Sequence, residues 1–155
     1  MDEFVDLLAR FTRAVEARDG AAFGALFTDD ASYEDYVYGE FVGPKAIGDM
    51  LVDLWWKEGR DYKWTMFNPV RLGDLGYAES FFSFNGASKH SVGKHAVSHC
   101  VSQFRFRGGK FCQYREWSDT LAGFTQMGVP GDLMVKIGAR KAKQLLARPD
   151  VAPHL

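Results

Sequence analysis

The sequence has little that would support a redox, metal-dependent or disulfide-stabilised protein. Its 155 residues include only two cysteines, Cys100 and Cys112, and no Cys or His lies near both of them at the spacing of a zinc site. Free thiols are therefore expected. His95 and His99 are four residues apart, but on a strand that spacing spans roughly 13 Å, which is too far for chelation. We expect no metal ion.

An excess of charge of one sign is also absent. Nineteen Lys and Arg against 20 Asp and Glu leave a formal net charge of −1, which gives no long-range attraction to nucleic acid or anionic membranes. No apolar run approaches the roughly 20 residues of a membrane span. The first ten residues, MDEFVDLLAR, are acidic and amphipathic, unlike a secretory signal peptide. We expect a cytoplasmic protein with neither a nucleic-acid nor a membrane partner.

Motifs for nucleotide or acyl-enzyme chemistry are missing as well, since the chain has no phosphate-binding glycine loop and no nucleophile elbow. No cofactor is expected. Aromatic residues, in contrast, are abundant: 13 Phe, 6 Tyr and 4 Trp. That number suits a pocket for flat, apolar molecules, and an aromatic-rich core without a pocket is the alternative.

The order of the expected elements predicts the α+β fold class. Apolar spacing and turn residues predict helices over residues 2–18, 21–27, 44–58 and 133–148, and a short helical piece after Asp119. Strands are predicted over residues 31–38, 62–70, 77–85, 95–106 and 110–119. A curved, mostly antiparallel sheet would then wrap around the N-terminal helices as a cone-shaped barrel with a central pocket. We expect residues 1–130 to form this domain and residues 131–155 to add a C-terminal helix and tail to it, with the helix's basic residues on a solvated surface.

The stretch SYEDYVYGEF, residues 32–41, places acids inside an aromatic strand. Alternation sends Tyr33 and Asp35 to one face and Glu34 and Tyr36 to the other. If the first face is the cavity, burial would raise the pKa of Asp35, and a hydrogen bond from Tyr33 would oppose that shift. Such a carboxylate can abstract a proton from carbon or activate water. The alternative is that Asp35 is solvated or caps a turn.

Three segments, GAAFGALFTDDASYEDY, GPKAIGDML and GGKFCQYREWSD with a later GVP, resemble the nuclear-transport-factor-2-like superfamily over roughly residues 4–130. Its members include ketosteroid isomerases, scytalone dehydratase, limonene-1,2-epoxide hydrolase and SnoaL-like polyketide cyclases. The resemblance implies the cone-shaped fold and leaves the reaction open, since one fold hosts many chemistries. Members commonly pair through the sheet, so the resemblance also implies a homodimer.

The ketosteroid isomerase resemblance places Asp35 at the position of the catalytic base. The oxyanion-hole tyrosine and protonated aspartate of those enzymes fall on Phe11 and Ser102, so a standard ketosteroid isomerase is not expected. In the epoxide hydrolase, the water-holding tyrosine and asparagine fall on Tyr33 and Asp35, and the last acid of the Asp-Arg-Asp set falls on Glu116. Its arginine and other aspartate fall on two residues that cannot replace them, Ser80 and Phe82.

The candidate catalytic residues are therefore Asp35 as base, Glu116 as second acid or base, and Tyr33 as hydrogen-bond donor. Two carboxylates in one apolar cavity push each other's pKa values apart, which yields one acid and one base. Glu116 could instead pair with Arg115 outside the cavity. Scytalone dehydratase, which this chain resembles in its first strand, also uses sheet histidines, so His99 is a further candidate. Regular alternation would put it on the outer face, and a β-bulge would reverse that.

Strand alternation and the resemblance predict the substrate-binding residues Phe11, Trp55, Trp64, Ser80, Phe82, Cys100, Ser102, Tyr114 and Ser118. Together they imply a hydrophobic substrate, aromatic or polycyclic. The expected function is a cofactor-independent lyase, isomerase or cyclase that uses acid–base catalysis. The alternatives are an epoxide hydrolase of the limonene-epoxide type with altered residues, and a non-catalytic module for small-molecule binding or protein interaction.

Overall fold

The apolar stripe of the first helix forms the centre of the core. In the computed structural model, which describes residues 3–155, α1 (Glu3–Glu16) buries side chains at helical spacing: Phe4, Leu7, Leu8, Phe11 and Val15. The helix packs against the long strand Gly59–Leu72, and its Phe4 ring meets the rings of Phe104 and Phe106 edge-on. Residue 2, where the helix was predicted to begin, lies outside the described residues.

One six-stranded sheet curves around this helix. Its strands, in spatial order β2-β1-β6-β5-β4-β3, are β1 (Phe27–Asp35), β2 (Gly39–Val42), β3 (Gly59–Leu72), β4 (Leu75–Gly86), β5 (His95–Arg107) and β6 (Lys110–Ser118). Only the β1–β6 pair is parallel, and the other four pairs are antiparallel. The predicted α+β class with a curved, mostly antiparallel sheet is confirmed.

Two features of the first third of the chain differ from the prediction. Helix α2 is only Gly20–Gly24, because Phe27 already pairs with Phe111 on β6 and the chain is extended from there. Strand β2 was not predicted, since it is only four residues long and shows little burial. It pairs with β1 around a turn at residues 36–38, and this turn ends β1 at Asp35.

The segment predicted as a third helix, residues 44–58, is helical but irregular. It begins as α3 (Pro44–Asp49), continues as a π-helix (Met50–Trp55) and ends in the short turn α4 (Trp56–Glu58). A π-helical turn carries an extra residue and so changes the face on which later side chains lie. Here Trp55 is buried against the core, and Trp56 Nε1 donates to the Val15 carbonyl oxygen at 3.0 Å.

The C-terminal part comprises α5 (Thr120–Met127), α6 (Gly131–Leu146) and a 3-10 turn (Pro149–His154). The prediction that the basic residues of α6 lie on a solvated surface is wrong for Lys141 and holds for Arg140, which is exposed. Lys141 is 17% exposed; its Nζ lies 3.4 Å from the Asp35 carbonyl oxygen and 4.9 Å from the centre of the Tyr36 ring. Arg140 donates to the Val37 carbonyl oxygen. No helix within residues 3–155 is long and apolar enough to cross a membrane.

The crossing of α2 and α3 yields a stability prediction, because glycines bring the two backbones into contact. A Cβ atom on Gly48 would lie 2.4 Å from the Gly20 carbonyl oxygen. We expect Gly48→Ala to lower the free energy of unfolding by about 1–3 kcal/mol, the usual cost of overpacking, as measured by chemical denaturation. Gly138→Ala is the control, since open space surrounds Gly138 on α6 and alanine favours a helix. Equal stabilities for the two variants would contradict this account of the crossing.

Candidate active site

A cavity of about 160 Å³ lies between the sheet, the β1–β2 turn and α5. Its wall is largely aromatic: Trp55 from the π-helix and Tyr62, Trp64, Phe82 and Phe84 from β3 and β4. Tyr36, Tyr38 and Phe124 complete the aromatic lining from the turn and from α5. A volume of about 150 Å³ accommodates benzene, whereas ligand pockets are commonly about 300–1,000 Å³. The cavity therefore suits a single ring or a group of similar size, and a polycyclic molecule exceeds it.

Asp35 lines this cavity and also holds the β1–β2 turn. It is 6% exposed, and its Oδ1 accepts from the backbone N–H groups of Val37 at 2.7 Å and Tyr38 at 2.8 Å. Its Oδ2 accepts from Trp55 Nε1 at 3.0 Å. Burial raises the pKa of Asp35, while these three donors oppose that rise. Because every neighbour is an N–H donor, the turn favours the ionised carboxylate, and Asp35 is both a turn cap and a cavity residue.

Glu116 lines the same cavity, opposite Ser102 in the β5–β6 register. The Tyr114 hydroxyl donates to Glu116 Oε2 at 2.8 Å and lies 3.0 Å from Ser102 Oγ. Burial raises the pKa of Glu116 to about 7; the Tyr114 hydrogen bond opposes this shift and the charge of Asp35 adds to it. The alternative pairing with Arg115 does not occur, since Arg115 Nε lies 3.0 Å from Glu34 Oε2 on the outer face. The pair therefore consists of a carboxyl group that is held by three N–H donors and a second carboxyl group with a pKa of about 7.

Tyr33 faces inward, as alternation predicted, but it does not line the cavity. Its ring stacks on Tyr114 at a centroid distance of 4.3 Å, and burial raises its pKa well above the usual value. Its hydroxyl has no hydrogen-bond partner among the described residues. Three other tyrosines line the cavity instead, Tyr36, Tyr38 and Tyr62, and the Tyr62 hydroxyl donates to the Trp55 carbonyl oxygen at 2.8 Å. Tyr38 lies in the turn after β1, where strand alternation no longer predicts direction.

His99 lies on the outer face, where regular alternation places it, and the β-bulge on which its candidate catalytic role depended is absent from the β4–β5 pair. The β4–β5 register runs without a shift through all of its pairs, from Leu75 opposite Arg105 to Asn85 opposite His95, so no β-bulge turns His99 inward. The side chain is 54% exposed, and its Nε2 lies 3.1 Å from Glu79 Oε2. His99 is therefore on the outer face of the sheet.

Four of the nine predicted substrate-binding residues line the cavity: Trp55, Trp64, Phe82 and Ser118. The other five are buried but are not in contact with it: Phe11, Ser80, Cys100, Ser102 and Tyr114. Alternation predicts which face of a strand is buried, but it does not predict how deep in the cone a residue lies. Behind the lining, for example, Phe11 packs edge-on against Trp64 at 5.2 Å.

Several cavity residues outside the regular strands were not predicted. They are three residues of the turn (Tyr36, Val37 and Tyr38), Glu58 at the end of α4, and four residues of α5 (Thr120, Gly123, Phe124 and Met127). Tyr36 was expected on the face opposite Asp35, but the turn brings it to the same cavity. The dense aromatic residues of SYEDYVYGEF were a signal for Tyr38. Turn and helix-end residues have no alternation pattern, so the sequence carried no comparable signal for Glu58 or α5.

The Tyr114–Glu116 hydrogen bond yields a prediction about ionisation. Tyr114→Phe removes a donor that stabilises the ionised carboxylate, so we expect the pKa of Glu116 to rise by roughly one unit, since hydrogen bonds to charged groups contribute about 1.5–3 kcal/mol. Carbon-13 NMR titration of the glutamate carboxyl groups measures this. Ser102→Ala leaves that bond in place and should cause a smaller rise. A pKa unchanged or lowered in Tyr114→Phe would contradict the assigned role of the bond.

Comparisons with known proteins agree with this architecture. A protein with a ketosteroid isomerase-like fold from Catenulispora acidiphila, in complex with trimethylamine, is 19% identical with a TM-score of 0.71, over 82% of this chain and 95% of that one. An LEH-like epoxide hydrolase of M. tuberculosis is 16% identical with a TM-score of 0.65, over 86% and 96%. A type 2 hexachlorocyclohexane dehydrochlorinase (LinA) is also 16% identical with a TM-score of 0.65, over 76% and 83%.

At such low identity these likenesses show a common fold and no common reaction. A search of proteins with curated functions found no match. The profile of the SnoaL-like domain, in contrast, matches residues 8–114, which is well over half of the chain and includes both Asp35 and Tyr114. The chain therefore belongs to the SnoaL-like domain family.

Proposed function

We propose that this protein is a cofactor-independent enzyme that transfers a proton to and from a carbon atom of a small, largely apolar molecule. The observation that carries the proposal is Glu116: a carboxyl group at the wall of an aromatic cavity, whose pKa of about 7 suits a general acid or base at neutral pH. Its Oε2 is held by Tyr114. Its Oε1 has no hydrogen-bond partner among the described residues and is free to accept a substrate proton.

The two carboxylates have different roles in this proposal. Glu116 exchanges the proton, whereas Asp35 remains ionised because three N–H donors surround it. The Asp35 charge raises the pKa of Glu116, which strengthens Glu116 as a base once it is ionised. This assignment exchanges the roles expected from the sequence, where Asp35 was the base. The Tyr38 phenol at the wall is the donor that can stabilise negative charge on the substrate.

The reaction begins when Glu116 takes a proton from carbon and the C–H electron pair stays on the substrate. That pair can expel a leaving group to form a double bond, return with the proton to another carbon, or attack an electrophilic carbon. These outcomes correspond to a lyase, an isomerase and a cyclase, which all need the same acid–base group. An elimination has support in the fold neighbours, since one of them is described as a dehydrochlorinase. The trimethylamine complex of another neighbour supports a ligand as small as the cavity.

The epoxide hydrolase alternative has less support at the level of residues. Ser80 and Phe82 are the positions at which the resemblance would place an arginine and an aspartate. Ser80 is buried away from the cavity, and Phe82 forms part of its apolar wall. Neither side chain can protonate an epoxide oxygen at the cavity, so acid–base chemistry through Glu116 is the better proposal.

Proton abstraction can be tested before the substrate is known. We would incubate the protein in D₂O with a panel of small cyclic ketones and halogenated cyclohexanes, and follow loss of C–H signals and formation of products by ¹H NMR. Glu116→Gln should lower exchange or turnover about 10²–10⁴-fold, the usual contribution of a general base. The wild-type rate should rise with pH and level off above about 7, because the ionised form of Glu116 is the base.

Glu34→Gln is the matched control, since this carboxylate lies on the outer face, paired with Arg115. It should react like the wild type. If Glu116→Gln is as active as Glu34→Gln on every reactive compound, Glu116 is not the base and the proposal fails.

The outer face of the sheet is the proposed surface for pairing with a second copy of the chain. It exposes four large apolar side chains on neighbouring strands, Phe81, Val97, Val101 and Trp117, with Val101 directly opposite Trp117 in the register. Exposed apolar patches of this kind commonly mark protein interfaces. This face is therefore the centre of the proposed homodimer interface.

We expect Trp117→Glu to shift the protein from dimer to monomer, because it would place a charge in an apolar interface. Analytical ultracentrifugation at several concentrations measures the shift. Leu72→Glu is the control, since Leu72 is apolar and even more exposed than Trp117 (86% against 53%) but lies at the β3–β4 hairpin. A monomeric wild type, or a dimer that survives Trp117→Glu, would contradict the proposed interface.

A further inference from the structure

We infer that the cavity binds a small organic cation, in particular the substituted ammonium group of an amine. The inference rests on the proposal that this cavity is the functional site, and it goes further by naming the chemical class of the ligand. Charge, aromatic lining and volume each support it.

The charged groups at the cavity wall all have the same sign. Asp35, Glu58 and Glu116 line it, and no Lys, Arg or His is among the described residues that do so. Three cations bind backbone carbonyl oxygens of lining residues: Lys141 binds that of Asp35, Arg140 that of Val37 and Lys94 that of Met127. Lys141 Nζ also lies 4.0 Å from Glu34 Oε1. Lys141 therefore lies behind the wall, next to an outer-face carboxylate. An anionic ligand would be repelled inside. A neutral ligand would supply no counter-charge to Glu116, whereas the charge of Lys141 already acts on Asp35.

The remainder of the wall is also favourable to a cation. Eight aromatic side chains line the cavity, among them both Trp55 and Trp64. Aromatic rings attract cations through the negative potential of their faces, tryptophan most strongly, and the attraction increases where water is excluded. Sites that recognise quaternary ammonium groups are built in this way from several aromatic residues. A neutral aromatic ligand would also pack against these rings, but the buried charge of Asp35 would not contribute to its binding.

The volume selects the size of the cation. About 160 Å³ is close to the volume that holds a single benzene ring, and a trimethylammonium group is of comparable size. A bare metal ion would leave most of the wall without contact. A bulky alkaloid-like cation would not fit. The group that matches both the charge and the volume is an ammonium nitrogen with small alkyl substituents.

Binding of a cation should be coupled to the ionisation of Glu116. The groups that face Glu116 are Asp35 and Tyr33 from β1, Cys100 from β5 and Tyr114 on its own strand. None of them is cationic at neutral pH. A cation in the cavity would therefore be the first positive charge close to this carboxyl group, and it would favour the ionised form. Binding should release a proton at pH 6–7, and affinity should increase as the pH rises through about 7.

The test compares choline with 3,3-dimethylbutan-1-ol, its neutral analogue in which carbon replaces the charged nitrogen. We expect calorimetry at pH 8 to show at least tenfold tighter binding of choline. Glu116→Gln should weaken the binding of choline severalfold and leave the binding of the alcohol unaffected. Glu34→Gln should change the binding of neither compound. At pH 6.5, titrations in two buffers of different ionisation enthalpy should show release of a proton with choline only.

Equal or tighter binding of the alcohol would overturn the inference, as would the absence of choline binding at millimolar concentration. This failure is distinguishable from failure of the proposed reaction. One outcome is Glu116-dependent proton exchange on neutral compounds, together with no tighter binding of choline than of the alcohol. This outcome would support the enzyme and exclude the cation site. Binding of choline that depends on Glu116, without exchange on any compound, would support the cation site and contradict the enzyme.

Discussion

The geometry of the cavity depends on the hydrogen bonds that the Asp35 carboxylate accepts. It accepts three hydrogen bonds, from two backbone N–H groups of the turn after β1 and from the indole of Trp55. One side chain thereby joins the edge of the sheet to the π-helix across 20 residues of sequence. Buried acceptors need such partners because an unpaired buried charge is costly. The same bonds that satisfy Asp35 place Tyr36, Tyr38 and Trp55 at the cavity wall.

The charge of Asp35 also contributes to the raised pKa of the second carboxyl group, that of Glu116. Glu116 lies in the same apolar surroundings, but the one hydrogen bond it accepts in the described structure is from Tyr114. Fewer hydrogen bonds therefore oppose the pKa rise that burial causes at Glu116 than at Asp35. The charge of Asp35 raises the pKa of Glu116 further. Burial raises the pKa of both acids, and the number of donors that oppose this rise differs between them.

The depth of the cone separates structural from candidate functional residues. Phe11, Phe104 and Tyr114 pack on one another and are not among the residues that line the cavity. Trp64, Phe82 and Phe84 lie at the wider part, where α5 closes over the space between them. The aromatic richness of the chain therefore has two uses: it fills the core, and it lines a small cavity.

The sequence by itself determined the fold class, the four long strands β3 to β6 and the inward direction of Asp35 and Ser102, because hydrophobic periodicity records which face of an element is buried. It also brought Asp35 and Glu116 to one face. Alternation also placed His99 on the outer face, as observed. The sequence did not determine the short edge strand β2 or the π-helix, since both depend on contacts between distant segments. Only the tertiary structure decided that Tyr38, and not Tyr33, reaches the cavity. A turn orients its side chains through its own hydrogen bonds, and depth in a cone depends on packing from all sides.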